Sequence, residues 1–163
     1  MITVAVISDT HLPRGARRLP ATCLARLRAA DLILHAGDIV SAGVLDDLRE
    51  LGPPLEAVHG NVDEAALQRA LPATRVVDVD GARIGLVHVP GPRSGRAERL
   101  GRLFPACDAV VYGHTHEPRV ERVGSRWLLN PGSPTERRRA PAHTMLVLEV
   151  AAARIEPTLV ALT

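Results

Sequence analysis

Lysine is absent from this 163-residue chain, so all 20 of its basic side chains are arginines. The chain therefore cannot use a catalytic lysine or the phosphate-binding lysine of a P-loop. Its two cysteines, Cys23 and Cys107, lie far apart, which excludes a CxxC zinc ribbon or a thioredoxin-like site. Both are expected to be small buried residues, because free cysteine commonly packs as a hydrophobe.

Aromatic residues are also scarce, since the chain holds one Phe, one Tyr and one Trp. So few rings give no platform for stacked bases, and binding to a nucleic-acid polymer is not expected. The formal net charge of +2 excludes a strongly basic arm as well. No apolar run approaches the roughly 20 residues of a membrane helix, and the start of the chain lacks the basic region of a signal peptide. We therefore expect a cytoplasmic protein that does not bind membranes.

Hydrophobic residues make up 46% of the chain, and 20 basic residues face 18 acidic ones. This composition predicts one folded domain over residues 1–163. Strand and helix patterns alternate in the first third, and strands with tight turns dominate the last half. Parallel units that lead into antiparallel hairpins predict a mixed sheet or two packed sheets covered by helices.

The element boundaries follow from hydrophobic periodicity and from turn and cap residues. Asp80–Gly81 and Gly124–Ser125 predict hairpin turns. The predicted strands are Thr3–Ile7, Leu32–His35, Leu55–Val58, Arg75–Val79, Ala82–Val87, Ala109–Tyr112, Arg119–Val123, Trp127–Leu129, Met145–Val150 and Arg154–Leu162. The predicted helices are Pro20–Ala30, a helix from its N-cap Ser41 to Leu51, Glu64–Leu71 with Asp63 as N-cap, and Ala97–Phe104.

Acidic, amide and imidazole side chains follow five of the predicted strands. They are Asp9, His11, Asp38, Asn61, His88, His114 and His116. Sites in open α/β sheets form at the carboxyl ends of strands, so these side chains are expected to converge. Oxygen and imidazole donors without thiolate favour Mn²⁺, Fe, Co, Ni or Zn²⁺ over Ca²⁺ or Cu(I). Seven ligands are too many for one ion and suit two ions that share a carboxylate.

The charge balance of such a site suits a phosphate ester. Two divalent cations together with Asp9 and Asp38 leave a net charge of about +2, which attracts phosphate and acidifies water. Glycines precede Asp38, Asn61 and His114, and they are expected to allow sharp backbone turns close to the ions.

The order of these motifs resembles that of the calcineurin-like metallophosphoesterase superfamily. The matching segments are Asp9-x-His11, Gly37–Asp38, Gly60–Asn61, His88 and Gly113–His114-x-His116. Asn130–Pro131–Gly132–Ser133 is similar to a turn of the small YfcE-type phosphodiesterases within it. The resemblance runs from the first strand to about Ser133. It implies an α/β fold in four layers, a sandwich of two mixed β-sheets flanked by helices.

The resemblance also implies a dinuclear metal site. Its ligands for the first ion would be Asp9, His11 and His116, and those for the second would be Asn61, His88 and His114. Asp38 would bridge both ions opposite a bridging hydroxide that attacks phosphorus in line. Asp38, Asn61 and His114 are accordingly the expected catalytic residues. Two divalent cations are expected, with Mn²⁺ favoured over Ni, Fe, Co or Zn.

Two positions depart from the pattern of the superfamily. Many members carry a histidine after Gly-Asn that is thought to protonate the leaving group, and Val62 stands there in this chain. Relatives often have His-Gly-His where this chain has His88–Val89–Pro90. The first departure leaves the leaving-group acid unidentified and favours good leaving groups. The second bears on substrate contacts rather than on metal binding.

Other polar residues have supporting interpretations. His35 and His59 are expected to orient ligands or fill the core, and Asp63 is expected to cap a helix rather than to act as an acid. Arg14, Arg93 and Arg137 are candidate substrate contacts, because guanidinium suits phosphate geometry. A solvated loop is the plain interpretation of the Arg137–Arg139 run, and a phosphate clamp is its alternative.

Together these features predict a dinuclear-metal-dependent phosphodiesterase that acts on small phosphodiesters. A phosphomonoesterase or nucleotide phosphatase is an alternative within the enzymes. A non-catalytic scaffold of the same fold, as in the retromer scaffold subunit, is an alternative of another class, and the complete set of seven ligands favours the enzyme over it. A homodimer through a free strand edge is an expectation that no motif supports.

Overall fold

The computed structural model describes all residues, 1–163, as ten strands and four helices. Every element overlaps a predicted one, with ends that differ by at most two residues. The strands are β1 Ile2–Ile7, β2 Leu32–His35, β3 Leu55–Ala57, β4 Thr74–Val79, β5 Ala82–Val87, β6 Ala109–Tyr112, β7 Arg119–Val123, β8 Arg126–Asn130, β9 His143–Ala151 and β10 Arg154–Leu162. The helices are α1 Ala21–Ala29, α2 Ala42–Arg49, α3 Ala65–Ala70 and α4 Arg96–Leu103.

The strands form two five-stranded sheets. The first has the order β10-β9-β1-β2-β3 and the second has the order β4-β5-β6-β8-β7. Strands β1, β2 and β3 run parallel, as do β5, β6 and β8, while the pairs β1–β9, β9–β10, β4–β5 and β7–β8 are antiparallel. Both predicted hairpins, β4–β5 and β7–β8, are confirmed. Each sheet is therefore mixed, as expected.

Strand alternation divides the core into layers. In β1, Val4 and Val6 belong to a cluster of 16 buried residues between the two sheets. Ala5 and Ile7 point the other way and pack with Cys23 and Leu27 of α1. This follows from the period of two along a strand, which sends neighbouring side chains to opposite faces. Both cysteines are buried and free, as predicted.

The outer face of the second sheet is covered by α4. Leu100 and Phe104 pack there against Val110 and Tyr112. The ring of Phe104 lies directly on Gly85 of β5, where an added Cβ would come within 2.6 Å of the ring. Helix, sheet, sheet and helix therefore form four layers, which confirms the fold class.

Candidate metal centre

The carboxyl ends of the parallel strands of both sheets meet at one edge of the sandwich. There the backbone N–H of His114, after β6, donates to Asp9 Oδ2 at 3.0 Å, after β1. His88, after β5, lies 2.7 Å through Nδ1 from the carbonyl oxygen of Ala36, after β2. These contacts join loops of the first sheet to loops of the second. The predicted polar residues therefore surround one point, where the two sheets meet.

A first group of metal-binding type consists of Asp9, His11 and His116, all buried. Their ligand atoms lie within 4.8 Å of one another. His116 Nε2 is 3.3 Å from Asp9 Oδ1, and His11 Nε2 is 3.8 Å from the same oxygen. This arrangement leaves three donor atoms facing a common point.

A second group consists of Asp38, His88 and His114, of which His114 is half-buried. His88 Nε2 lies 3.1 Å from Asp38 Oδ2. Asn61 adjoins this group, since its Oδ1 is 3.0 Å from His88 Nε2 and 3.1 Å from His114 Nδ1. The amide oxygen thus faces the same space as the two imidazoles.

The Asp38 carboxylate lies between the two groups. Its Oδ2 is 3.4 Å from His11 Nε2 of the first group and 3.1 Å from His88 Nε2 of the second. The seven predicted ligands are therefore brought together, with one carboxylate shared.

Two buried imidazole nitrogen atoms without hydrogen-bond partners indicate whether the candidate metal centre suits a cation. His11 Nε2 and His116 Nε2 are buried and have no hydrogen-bond partner. A buried polar atom without a partner is costly, so it commonly has a ligand. His116 Nδ1 lies 2.5 Å from the carbonyl oxygen of Glu136, a contact that turns Nε2 towards Asp9. Imidazole nitrogens and carboxylate oxygens are donors that suit divalent transition metals, so the residues present fit such ions.

Many of the seven predicted ligands have a left-handed backbone conformation, which sets the direction of their side chains. Five of the seven residues have φ between 45° and 69°, a region that costs a non-glycine residue about 1–3 kcal/mol. They are Asp9, His11, Asp38, His114 and His116. Such conformations persist only where surrounding contacts hold them, and they concentrate at functional sites.

The glycines before these residues act differently from the expectation. Of the three, only Gly37 has a positive φ, +98°. Gly60 and Gly113 instead permit close approach, because a Cβ at Gly60 would overlap the Asp38 carboxylate and one at Gly113 would overlap the Ser8 hydroxyl. The prediction of sharp glycine turns is therefore wrong at these two positions, since the unusual backbone falls on the polar residues themselves.

The buried charges keep both carboxylates ionised. Burial alone would raise the pKa of Asp9, but the adjacent imidazoles of His11 and His116, together with the His88 charge, outweigh it and hold that pKa far below its usual range. Burial opposes ionisation of Asp38 too, yet its hydrogen bond with His88 and the His88 charge lower its pKa.

The imidazoles of the second group differ from each other. Burial works to lower the pKa of His88, but its bond to Asp38 and the charges of Asp9 and Asp38 raise it above the ordinary value. Burial and the nearby His88 charge lower the pKa of His114. A deprotonated imidazole is the form that binds metal, so His114 is ready to ligate near neutral pH.

Asp63 does not cap a helix. Helix α3 begins after Glu64, and no side chain caps its first turn. Asp63 is 4% exposed, and its carboxylate accepts hydrogen bonds from the backbone N–H groups of Asp38 (3.2 Å), Val40 (2.6 Å) and Gly60 (2.6 Å). The predicted N-cap is therefore wrong, because two loops of the centre compete successfully for this carboxylate. Ser41 does cap α2, as predicted, by accepting from the Val44 N–H at 3.4 Å.

The Asn130–Pro131–Gly132–Ser133 turn fastens two loops. Ser133 Oγ donates to the Asp9 carbonyl at 2.8 Å. Asn130 Nδ2 donates to the Gly113 carbonyl at 3.2 Å and to Thr115 Oγ1 at 3.0 Å. The turn thus fixes the segments that carry Asp9 and His114.

The two other histidines near the centre belong to neither group. His35 is fully buried, accepts from the Gly37 N–H at 3.1 Å through Nδ1, and contacts Thr10 Oγ1 at 3.1 Å through Nε2. Burial lowers the pKa of His35 to about 3. His59 Nδ1 lies 3.4 Å from the Gly60 carbonyl.

The three candidate substrate arginines are spread around the rim. Arg14 Nη1 lies 3.5 Å from Glu136 Oε1, and Arg93 Nη2 lies 3.2 Å from Glu117 Oε1. Arg137 Nη1 donates to the Ala140 carbonyl at 2.7 Å. These residues do not form one cluster.

Glu136 is a polar residue of the site that sequence reasoning missed. Its Oε2 lies 3.9 Å from His11 Nε2, and its carboxylate is within 3.5 Å of both Arg14 and Arg17. Its only sequence signal is its place shortly after the Asn-Pro-Gly-Ser turn. That nearness to Asp9 arises from the fold and not from any spacing.

Two cavities adjoin the centre. One of about 620 Å³ lies between the loop after β6 and the loop before β9. Its lining residues are Thr115, His116, Glu117, Pro118, Arg137, Arg138, Arg139, Ala140 and Pro141. The other, of about 270 Å³, adjoins the second group and is lined by His59, Gly60, Asn61, Gln68, Ala73, Val87, His88 and Val89.

The fold and this pair of metal-binding groups define a class of protein. Residues 2–153 match the family model of the calcineurin-like phosphoesterase superfamily domain, and the chain belongs to that superfamily. Membership supports a hydrolase of phosphoric esters that uses divalent metal ions. No helix is both long and apolar enough to cross a membrane.

Individual proteins of known name or structure are similar to most of this chain. A probable metallophosphoesterase of Methanothermobacter thermautotrophicus is 36% identical over 146 residues, 88% of this chain and 84% of the relative. A phosphodiesterase of Methanocaldococcus jannaschii is 25% identical over 79% of this chain and 82% of its own length. Among solved structures, Vps29 of Entamoeba histolytica in complex with Zn²⁺ has a TM-score of 0.78 and 26% identity, covering 98% of this chain and 99% of that one.

Proposed function

We propose that this chain is a dinuclear-metal-dependent phosphodiesterase, with residues 1–163 acting as one catalytic domain. The observation that carries the proposal is the position of Asp38, whose Oδ2 faces His11 of one group at 3.4 Å and His88 of the other at 3.1 Å. A shared carboxylate is what two neighbouring cations require. A relative named a phosphodiesterase supports the diester substrate.

The ligand roles follow the two groups. Asp9, His11 and His116 would hold one divalent cation, Asn61, His88 and His114 would hold the other, and Asp38 would be shared by both. Mn²⁺ is the proposed metal, with Ni, Fe, Co or Zn as alternatives of the same donor preference. The chemistry that two bound cations supply is acidification of water and neutralisation of charge that develops on the phosphoryl oxygens.

Side chains around the two groups position the ester for hydrolysis. Hydrolysis joins the oxygen of water to phosphorus and breaks one phosphorus–oxygen ester bond, while the departing alcohol takes up a proton. His114 is the most open of the histidines in the two groups, which places its imidazole and Asn61 beside the substrate. Val62 supplies no acid there, so esters with good leaving groups are favoured. Arg14, Arg93 and Arg137 contribute positive charge at the rim.

The likeness to Vps29 supports a second candidate, a non-catalytic scaffold of the same fold. Its structure in complex with Zn²⁺ means that bound metal alone does not distinguish the two functions. Turnover does. A cytoplasmic location and a homodimer stay predictions.

The test is hydrolysis of bis(p-nitrophenyl) phosphate by metal-stripped protein, before and after addition of Mn²⁺. The key variant is Asp38→Ala. Its matched control is Asp47→Ala, which removes an exposed carboxylate of α2 that has no ion pair or side-chain hydrogen bond. Metal content per chain is measured on the same samples.

Metal-dependent turnover that Asp38→Ala abolishes and Asp47→Ala retains is the expected result. The same assay is run with the monoester p-nitrophenyl phosphate. Turnover of this monoester without turnover of the diester would instead favour the phosphomonoesterase. Two bound ions without turnover of either ester, under any of the five metals, would favour the scaffold.

A further inference from the structure

The two cavities beside the metal-binding groups differ in charge. The larger one adjoins His116 of the first group and is lined by Arg137, Arg138 and Arg139. The smaller one adjoins Asn61 and His88 and is lined by no arginine and no carboxylate. A phosphodiester has two ester groups, and each cavity adjoins one of the two metal-binding groups.

The arginines of the larger cavity are available to a ligand. Arg138 and Arg139 are exposed and form no hydrogen bond or ion pair through their side chains. Arg137 uses one guanidinium nitrogen on the Ala140 carbonyl. The single acid of the lining, Glu117, is already shared between Arg93 at 3.2 Å and Arg119 at 3.6 Å. The cavity therefore carries uncompensated positive charge.

This charge lies close to the metal-binding groups. Arg138 lines the same cavity as His116 of the first group. Besides the three arginines, the lining includes Pro118, Ala140 and Pro141. The volume of the cavity, about 620 Å³, is within the usual range for small-molecule sites.

The smaller cavity suits an uncharged group. Val87 and Val89 contribute apolar surface, and Val89 is 48% exposed. Gln68 and Asn61 offer amides rather than charges. A second anion would find no cationic side chain there apart from the histidines.

We propose that the substrate is an asymmetric phosphodiester in which one of the two esterified alcohols carries a further phosphate. That phosphate binds in the larger cavity between Arg138 and Arg139, and the uncharged ester group lies over Val87 and Val89. Guanidinium is the side chain best matched to phosphate, through paired N–H donors and a permanent charge. This inference rests on the proposed phosphodiesterase function and names its substrate class.

The test compares two chromogenic diesters that differ only in the second phosphate. They are thymidine 5′-(p-nitrophenyl phosphate) and the same compound phosphorylated at the 3′ hydroxyl. The measured quantity is the ratio of kcat/KM for the phosphorylated to the unphosphorylated ester, in the Mn²⁺-loaded protein. We expect a ratio of about 10 or more, since a hydrogen-bonded charge pair contributes about one such factor.

The variant Arg138→Ala/Arg139→Ala is expected to bring this ratio close to 1. Its control, Arg26→Ala/Arg28→Ala, removes two exposed arginines of α1 that form no side-chain hydrogen bond or ion pair, and it is expected to keep the wild-type ratio. A ratio near 1 in the wild type, or a high ratio that survives in Arg138→Ala/Arg139→Ala, would overturn the inference.

A binding measurement separates this inference from the proposed function. Thymidine 3′,5′-bisphosphate is titrated calorimetrically into metal-stripped wild type and into the Arg138→Ala/Arg139→Ala variant, with thymidine as the uncharged comparison. Binding of the bisphosphate that weakens about tenfold or more in the variant supports the cavity even if neither ester is hydrolysed. Equal affinity in both proteins overturns the cavity even if both esters are hydrolysed.

Discussion

At the scale of single residues, the candidate metal centre depends on backbone that most side chains avoid. Asp9, His11, Asp38, His114 and His116 all have positive φ, and the contacts around them hold them there. Ser133 on the Asp9 carbonyl and Asp9 on the His114 N–H are two of these contacts. The conformational cost is borne at residues of the two candidate metal-binding groups, which is typical of a functional site.

Removing one imidazole from each group should remove one cation at a time. His116→Ala is expected to weaken the first cation and His88→Ala the second, because each belongs to only one group. Calorimetric titration of Mn²⁺ into metal-stripped protein should fall from two sites to one in each variant. His143→Ala, a histidine at the start of β9 outside both groups, should retain two sites. Loss of both cations in His88→Ala would contradict separate groups.

The buried imidazole of His35 predicts how stability depends on pH. Its pKa is about 3 in the folded chain and about 6.5 when unfolded, so the unfolded chain binds the extra proton between these values. The contribution of neutral His35 to the free energy of unfolding is therefore complete above pH 6.5. It is lost as the pH falls towards 3, at about 1.4 kcal/mol per pH unit.

Urea unfolding of the metal-free protein at pH 6 and pH 4.5 measures this loss. His35→Asn keeps an acceptor for the Gly37 N–H and cannot be protonated, so its unfolding free energy should change less between the two pH values. An equal change in wild type and variant would assign the pH dependence to other groups, such as His114.

At the scale of secondary-structure elements, the loops after the strands are fixed by side chains that lie outside the two groups. Asp63 joins the loop after β2 to the loop after β3, and Asn130 joins the end of β8 to the loop after β6. The strands deliver the loops to one edge, and these bonds set their shape.

Asp63→Ala is expected to lower the free energy of unfolding by about 3 kcal/mol, because three backbone N–H groups lose a buried acceptor. It should also weaken Mn²⁺ binding, since Asp38 is one of the three residues released. Urea unfolding and calorimetry of the same samples check both effects. Asp63→Asn retains an acceptor oxygen and should lie between wild type and Asp63→Ala. A loss below about 0.5 kcal/mol, typical of a surface site, would contradict this role.

Element existence and the strand-end side chains could be predicted from the sequence, because both depend on local periodicity and on parallel strands sharing an edge. The role of Asp63 could not, since an acid before a helix and an acid that braces two loops have the same local sequence. Glu136 was missed for a related reason. Its approach to His11 requires the turn after β8 to fold against the loop after β1, which no local pattern encodes.

At the scale of the whole molecule, each metal-binding group draws on both sheets. Asp9 and His11 follow β1 of the first sheet, and His116 follows β6 of the second. Asp38 follows β2 of the first sheet, and His88 and His114 follow strands of the second. The groups exist only where the sheets are packed together, so cation binding is coupled to global unfolding.

Mn²⁺ is therefore expected to stabilise the entire fold. At a free concentration 100 times Kd, each site adds about 2.7 kcal/mol to the free energy of unfolding. Urea unfolding with and without Mn²⁺ should show this gain in wild type and a much smaller one in Asp38→Ala, which lacks the shared ligand. Two bound ions without any gain would mean that the unfolded chain binds them equally well.

The position of the centre at the seam of the two sheets has a consequence for how activity first arises. A nascent or proteolytically nicked chain with only one sheet in place holds an incomplete set of ligands for each group. In the proposed enzyme, hydrolysis therefore begins only after the two sheets have packed together. Bound metal then indicates a completely folded chain. Divalent cations therefore bind fully only to chains in which both sheets have formed and have packed together.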